Sequence, residues 1–133
     1  MKRCTKYLVL ALVVVIFVIV VGIGSKLFLI YMDMKEKVSD IEFSELELSE
    51  LEDGEYYGSY SLGIVSAKVC VSVSDGKIDD IEIVEHITGR GKKAEDIVEA
   101  VIDEQSVMVD IISGATYSSK TILKAIENAV NYQ

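Results

Sequence analysis

The sequence predicts an α+β domain, in which a small antiparallel sheet is covered on one face by two helices and preceded by one N-terminal transmembrane helix. Three observations support this fold class. A long apolar run lies near the N-terminus, three segments with strand-like alternation follow it, and two amphipathic helical patterns come last. Because the strands precede the helices instead of alternating with them, we expect an antiparallel sheet with the helices together on one side.

The apolar run is long enough to cross a bilayer. Every residue from Leu8 to Ile23 is apolar apart from Gly22, and the apolar character resumes after Lys26. A helix from Tyr7 to Tyr31 would span a hydrocarbon core of about 30 Å, with the Lys26 ammonium group reaching to the surface. We therefore predict a transmembrane anchor over residues 7–31.

The charges on either side of this run predict its orientation. Three basic residues precede it, Lys2, Arg3 and Lys6, and no acidic residue occurs before Asp33. Since positively charged flanks stay in the cytoplasm, residues 1–6 are predicted to be cytoplasmic. Everything after Tyr31 is then extracytoplasmic, so the expected location is the cell membrane, with a single pass.

A cleaved signal peptide is the alternative interpretation of the same run. Gly22 and Gly24 are small enough for a cleavage site, but apolar residues continue beyond them. This continuation favours a retained anchor.

The charge distribution excludes one class of partner. The chain has 13 basic and 22 acidic residues, a net charge of −9. Four of the basic residues lie at or before the membrane, so the remainder has nine basic against 22 acidic residues, a net charge of −13. Such a surface repels nucleic acid and anionic lipid headgroups, so no nucleic-acid partner is expected.

The two cysteines, Cys4 and Cys70, lie on opposite sides of the membrane in this topology and cannot pair with each other. The chain also lacks the ligand spacing of a zinc site and the attachment motif of covalent haem. Redox chemistry in this protein would therefore need a cofactor other than an iron–sulfur cluster or covalent haem, and no metal site is predicted.

Residues 32–52 are predicted to form an acidic stalk. The apolar residues scattered through it follow neither the helical nor the strand period for long. A turn signal, Asp53-Gly54, marks the start of the predicted domain, residues 53–133.

Three strands are predicted, over residues 55–63, 66–73 and 78–86. The second alternates cleanly between apolar and other residues. The sequence Ser74-Asp75-Gly76-Lys77 supplies a tight hairpin turn, because Asp-Gly tolerates the positive φ that such turns need. Ile78 is out of phase with Ile81 and Ile83, which predicts a bulge or a turn residue near Asp79.

A glycine-bearing basic loop, Thr88–Lys93, follows the strands. Beyond it, apolar residues recur with helical spacing from Ala94 to Ile102, which predicts an amphipathic helix. A short extended piece, residues 107–112, leads to a final helix, for which Ser118 or Ser119 is the expected N-cap. The expected core face of this helix consists of Ile122, Ala125, Ile126, Ala129 and Val130.

The segment from Asp110 to Ser119 carries the most chemical information. Gly114 permits a backbone turn that other residues resist, and Ala115 leaves the neighbourhood of Thr116 uncrowded. The following helix has unpaired N–H groups and a positive dipole end at its N-terminus, which suits a phosphate. Taken alone, the pattern is more typical of a simple capped turn.

The heptad Asp110-x-x-Ser113-Gly114-Ala115-Thr116 resembles the flavinylation motif of the FMN-binding domain family. That family includes subunits of the sodium-pumping NADH:quinone oxidoreductase and Rnf complexes, and many small exported proteins. The similarity extends, in the same order, to the flanking elements Asp53–Gly58, 75–86, Gly91–Glu95 and Ser118–Val130. It covers nearly the whole predicted domain.

The resemblance implies a cofactor and a site. Thr116 would carry FMN through a phosphoester bond made by a flavin transferase, which takes FMN from FAD with magnesium and releases AMP. Asp110 would belong to the element that the transferase recognises, and Ser113 would bond the phosphate or the backbone. The cofactor-binding residues implied are Asp110, Ser113, Gly114, Ala115, Thr116, Tyr117 and Ser118, and no catalytic residue is implied.

Other residues give weaker signals. His86, the single histidine, is more typical of a surface residue at a strand end than of a flavin contact. The cations of the basic loop would steady FMN or remain solvated. Cys70 is more typical of a buried small residue than of a redox centre. One of four tyrosines is expected to stack on the flavin ring: Tyr56, Tyr57, Tyr60 or Tyr117.

The expected function is that of a membrane-anchored, extracytoplasmic flavoprotein. It would relay electrons between membrane redox proteins or quinone reductases, with FMN supplying the chemistry and the chain supplying attachment and orientation. Two alternatives remain open. The domain could bind FMN noncovalently as a module of a larger reductase, or it could be a flavin-free, anchored interaction domain.

Overall fold

The structure, a computed structural model, describes residues 2–132, with side chains from Thr5 onward. It divides the chain into two compact units, the first ending at Glu36 and the second beginning at Lys37. The predicted orientation and the exclusion of a disulfide depend in part on Lys2, Arg3 and Cys4. The side chains of these three residues lie outside the described part of the chain.

The first helix, α1, runs from Lys2 to Ser39. The stretch Thr5–Ser39 is long and apolar enough to cross a membrane. Residues 5–33 are exposed, as a lipid-facing helix requires. The helix extends beyond the predicted anchor, into residues 32–39 of the predicted stalk. This segment contains neither glycine nor proline, and its Met, Lys and Glu residues are good helix formers.

Three antiparallel strands form the sheet, in the order β1-β2-β3. Their bounds are Gly54–Leu62 for β1, Val65–Ser74 for β2 and Lys77–Ile87 for β3. The β2–β3 hairpin turns at Asp75 and Gly76, whose φ angles of 51° and 70° are both positive, as the Asp-Gly pair predicted. The predicted fold class is confirmed.

Two bulges shift the register between β2 and β3. Ser72 pairs with Asp80 while Val73 pairs with Ile78, so Asp79 is the extra residue and the predicted bulge is confirmed. The second bulge is at residue 84, which the pairing passes over in the same way, and the sequence did not predict it. Each bulge moves the following β3 residues to the opposite face of the sheet.

Two helices complete the domain. A 3₁₀ helix over Lys92–Asp96 leads into α2, Ile97–Glu104, and α3 spans Thr116–Asn131. The predicted core face of α3 is buried at every position. Residues 107–112, predicted as an extended piece, are irregular and lie outside the sheet. The core is formed by α3 packing on β1 and β2, with α2 against β3.

The segment from Lys37 to Glu52, most of the predicted stalk, belongs to the second compact unit. Leu48, in a 3₁₀ helix over Leu48–Glu50, is 8% exposed and is part of the core. The hydroxyl of Ser44 donates to Glu127 Oε1 at 2.9 Å, and the Glu47 N–H donates to Asn131 Oδ1 at 3.0 Å. We refer to residues 40–52 as the strap, because they pack along α3.

Candidate functional site

The informative heptad ends in a tight turn. The Ala115 N–H donates to the Ile112 carbonyl at 3.0 Å, and Gly114 has a φ of +80°. A type II turn needs a positive φ at this third position, which favours glycine. A Cβ added at Gly114 would meet no atom within 4 Å, so the requirement for glycine comes from its backbone conformation and not from crowding.

The turn places Thr116 at the first position of α3. The N-cap is Ala115, and no side chain among the described residues caps this end. The predicted N-cap at Ser118 or Ser119 is therefore wrong. The first backbone bond of the helix runs from the Ser119 N–H to the Ala115 carbonyl at 2.8 Å. The N–H groups of Thr116, Tyr117 and Ser118 thus lack an intrahelical acceptor and lie at the positive end of the helix dipole.

Ser118 and Ser119 are occupied by tertiary hydrogen bonds instead of capping. Ser119 is fully buried, and its hydroxyl accepts the Ile112 N–H at 3.1 Å, which ties the turn to the helix. Ser118 is 2% exposed and shares a 2.8 Å hydrogen bond with the Thr88 hydroxyl. Ser118 therefore links the first turn of α3 to Thr88. A direct contact between Ser118 and FMN stays a prediction.

The bond to Thr88 brings the basic loop against the first turn of α3. The Gly91 N–H donates to Thr88 Oγ1 at 3.0 Å, and the Ala94 N–H donates to the Gly91 carbonyl at 2.9 Å. A Cβ on Gly91 would lie 2.6 Å from Ser118 Cβ, so only glycine allows this approach. The basic loop, in which Arg90, Lys92 and Lys93 are exposed, therefore packs on the first turn of α3 through Thr88 and Gly91.

His86 differs from its predicted surface position. Its side chain is only 2% exposed, and Nδ1 lies 3.0 Å from Glu95 Oε1. The bulge at residue 84 explains the burial, because it turns His86 towards the core face, where it pairs with Ala67. Nε2 is buried without a hydrogen-bond partner among residues 2–132. Sequence reasoning missed this residue, since nothing local signals the second bulge.

The remaining residues of the heptad divide by exposure. Asp110, Ser113 and Gly114 are exposed and available to a partner protein, while Ala115 is buried under the turn. Thr116 and Tyr117 are half-buried. The heptad thus presents polar groups on an open surface and holds its threonine on the helix end.

Among the candidate tyrosines, Tyr117 alone lies at this turn. Tyr56, Tyr57 and Tyr60 are in β1, whose Gly58 packs on Ala125 and Ala129 of α3. Ala125 is nine residues beyond Thr116, or about 14 Å at 1.5 Å per residue. Tyr117 is therefore the candidate that adjoins Thr116 in the chain, and stacking of any of the four tyrosines on the flavin ring stays a prediction.

Part of the site is open to solvent, because Asp110, Ser113 and Gly114 are exposed. Two hollows formed by the described residues lie elsewhere, one beside Tyr57 and Lys68 and one beside Ile41 and Tyr60.

These features fit a flavin mononucleotide. Its phosphate suits the uncapped N-terminus of α3 and the basic loop that packs there. Its ring could stack on the aromatic side chain of Tyr117, which follows Thr116 in the chain. A sequence model described as the FMN-binding domain matches residues 63–131, just over half of the chain. No curated protein matches the chain. The chain therefore belongs to the FMN-binding domain family, and its cofactor is FMN.

Proposed function

We propose that this membrane-anchored FMN-binding module is a one-flavin electron carrier, with FMN esterified to Thr116 and the domain outside the cytoplasm. The observation that carries the proposal is the position of Thr116. It is the first residue of α3, on an uncapped helix end, and the basic loop packs on the same first turn of the helix through its contacts with Ser118. A phosphate attached there would accept hydrogen bonds from the free backbone N–H groups.

The proposed attachment is a group transfer from FAD. The Thr116 hydroxyl oxygen forms a bond to the phosphorus of the FMN half, and the phosphoanhydride bond of FAD breaks. AMP is the leaving group, and the hydroxyl proton passes to a base of the transferase. Exposed Asp110 and Ser113 are the groups that a transferase would contact.

The chain's own contribution is to hold and orient the cofactor. The N–H groups of the first turn of α3, with Arg90, Lys92 and Lys93, would neutralise the phosphate charge. Tyr117 would pack on the ring. Bound FMN accepts electrons in pairs and releases them singly, which suits a relay between two-electron and one-electron partners.

An apolar helix long enough to cross a membrane precedes the domain, and it supports the choice of partners. A tether of this kind raises the effective concentration of the domain near other membrane proteins. We therefore propose membrane redox proteins or quinone reductases as electron donors and acceptors. Covalent attachment would retain FMN outside the cytoplasm, where a released cofactor is lost.

The test is to co-express the full chain with a flavin transferase in an exporting host. Intact mass should show one added FMN, the band should fluoresce after denaturing electrophoresis, and the label should map to the peptide around Thr116. Thr116→Val should abolish the label, because it removes the attacking oxygen while keeping the branched shape. The matched control, Thr116→Ser, keeps a hydroxyl and should retain it.

Each alternative predicts a different result. Flavin that copurifies but is released by acid precipitation indicates noncovalent binding at the same helix end. A colourless protein, with a positive control for the transferase, indicates a flavin-free interaction domain. Denaturation-resistant flavin in Thr116→Val would show that another residue carries the bond.

A further inference from the structure

We propose that His86 and Glu95 are positioning residues of the FMN site, which hold the basic loop against the first turn of α3. This inference rests on the proposed function. The two residues lie on either side of the loop, His86 near the end of β3 and Glu95 in the following 3₁₀ helix. The 3.0 Å contact between Nδ1 and Oε1 closes the loop at its base.

The geometry assigns different states to the two ring nitrogens of His86. A carboxylate only accepts hydrogen bonds, so Nδ1 carries the hydrogen in the bond to Glu95. Nε2, the other ring nitrogen, is buried without a partner among residues 2–132. A buried polar atom without a partner costs free energy, so the ring keeps this position because of the Nδ1 bond and the packing around it.

The loop that His86 and Glu95 close is in turn in contact with the first turn of α3. Thr88 Oγ1 contacts both Ser118 Oγ, at 2.8 Å, and the Gly91 N–H, at 3.0 Å. Gly91 packs so closely on Ser118 that a side chain has no room there. Opening the base of the loop would displace Thr88 and Gly91 from α3, and the three loop cations would move away from Thr116.

The displacement would affect one end of the cofactor more than the other. Arg90, Lys92 and Lys93 attract the phosphate, whereas the flavin ring is uncharged in its oxidised form. The rest of the domain is strongly acidic, so the remaining attraction for the phosphate comes from the N–H groups at the N-terminus of α3. A loosened loop should therefore weaken binding of FMN and leave binding of riboflavin, which lacks the phosphate, nearly unchanged.

The experiment measures noncovalent affinity for both flavins in the full chain in detergent, with Thr116→Val present so that no ester forms. His86→Asn places an amide N–H close to the position of Nδ1 and keeps the bond to Glu95. His86→Gln places its amide near Nε2 instead, and Glu95→Ala removes the acceptor. The matched control is Glu85→Gln, because neighbouring Glu85 is exposed and pairs with Lys68 at 3.2 Å.

We expect His86→Gln and Glu95→Ala each to weaken FMN binding roughly tenfold while riboflavin affinity stays within about twofold. His86→Asn and Glu85→Gln should leave both affinities unchanged. Equal losses for both flavins would overturn the inference, since they indicate a general loss of structure. So would an Asn variant that behaves like the Gln variant, or a parent that binds FMN no better than riboflavin.

Amide hydrogen exchange without flavin gives an independent measurement. Residues 88–93 should exchange faster in His86→Gln and Glu95→Ala, because the base of the loop opens. Unchanged exchange in these variants would also overturn the inference. Failure of the proposed function has its own readout. After co-expression with the transferase, the chain that retains Thr116 would then show an unmodified mass.

Discussion

Gly58 illustrates how packing decides the identity of a single residue. A Cβ there would overlap the Ala125 carbonyl and lie 2.7 Å from Ala129 Cα, in the backbone of α3. Only glycine allows the strand and the helix to approach so closely.

We therefore expect Gly58→Ala to destabilise the domain by about 1–3 kcal/mol, the usual cost of overpacking. The measurement is urea unfolding of the full chain in detergent. Gly54→Ala is the matched control, since Gly54 is also in β1 and an added Cβ would meet nothing within 4 Å. Equal effects of the two substitutions would show that the close approach is not the cause.

A second residue-scale prediction concerns Tyr57, which is 68% exposed on the sheet face opposite Gly58. A hydrogen bond with the Cys70 side chain, followed by the charge interaction with Cys70 and then by that with Glu55, raises the pKa of Tyr57 above its ordinary value of 10.0. The neutral phenol is thus favoured in the folded state. The resulting stabilisation of the folded state is fully present below the pKa of tyrosine in the unfolded chain. It is lost as the pH rises through the raised pKa of Tyr57 in the folded state.

Cys70→Ala should lower the pKa of Tyr57 towards 10.0, because it removes the largest cause of the shift. Ultraviolet absorbance titration measures it, with Tyr57→Phe subtracted to isolate this phenol from the other tyrosines. Glu55→Gln should have a smaller effect. A Tyr57 titration that is insensitive to Cys70→Ala would contradict the hydrogen bond.

At the scale of elements, α3 makes two sets of contacts that local patterns did not predict. Its N-terminal turn contacts the basic loop, and its C-terminal half contacts the strap. Glu127, 1% exposed, accepts hydrogen bonds at Oε1 from Ser44 of the strap and from Lys124. A buried carboxylate with such partners indicates that the strap is an integral part of the fold.

Glu127→Ala should therefore destabilise the domain by about 1–3 kcal/mol, since it leaves two donors without their acceptor. The strap, residues 40–52, should also exchange its amide hydrogens faster. Lys68→Ala, which breaks the exposed Lys68–Glu85 pair, is the control and should cost no more than about 1 kcal/mol. A strap that exchanges as in the parent chain would refute its attachment through Glu127.

For the whole molecule, the distribution of charge predicts the topology. Basic residues precede the apolar run Leu8–Ile23, and the acidic residues all follow it. We expect the chain to resist extraction from membranes by alkaline carbonate. A C-terminal alkaline phosphatase fusion should be active and a C-terminal fluorescent protein dark, because the basic N-terminal flank predicts a domain outside the cytoplasm.

The control reverses the charge of the N-terminal flank, with Lys2, Arg3 and Lys6 all replaced by Glu. It should shift part of the population to the opposite orientation. Intact mass of the native chain distinguishes the signal-peptide alternative, since a soluble product that has lost its apolar run would show cleavage. An active fluorescent fusion on the parent chain would place the domain in the cytoplasm.

Much of the fold was predictable because it depends on local patterns. Alternation along β2, the Asp75-Gly76 turn and the apolar stripe of α3 each involve neighbouring residues, whose periods of 2 and 3.6 reflect backbone geometry. The bulge at Asp79 also left a local trace, since Ile78 breaks the alternation. The turn at Gly114 also left a local trace, because its positive φ favours glycine. Thr116 itself came from the family resemblance, and its attachment to FMN stays a prediction.

Contacts between distant segments decided the rest. Ser118 and Ser119 have the local chemistry of N-caps, but Thr88 and Ile112 engage their hydroxyls and leave the helix end open. His86 resembled a surface residue until the register of β2 against β3 turned it inward to Glu95. The sequence by itself determined the anchor-like helix, the sheet and the flavin-binding motif. Only the tertiary structure decided what surrounds that motif, because hydrogen bonds between distant segments depend on how the elements pack and not on their own periodicity.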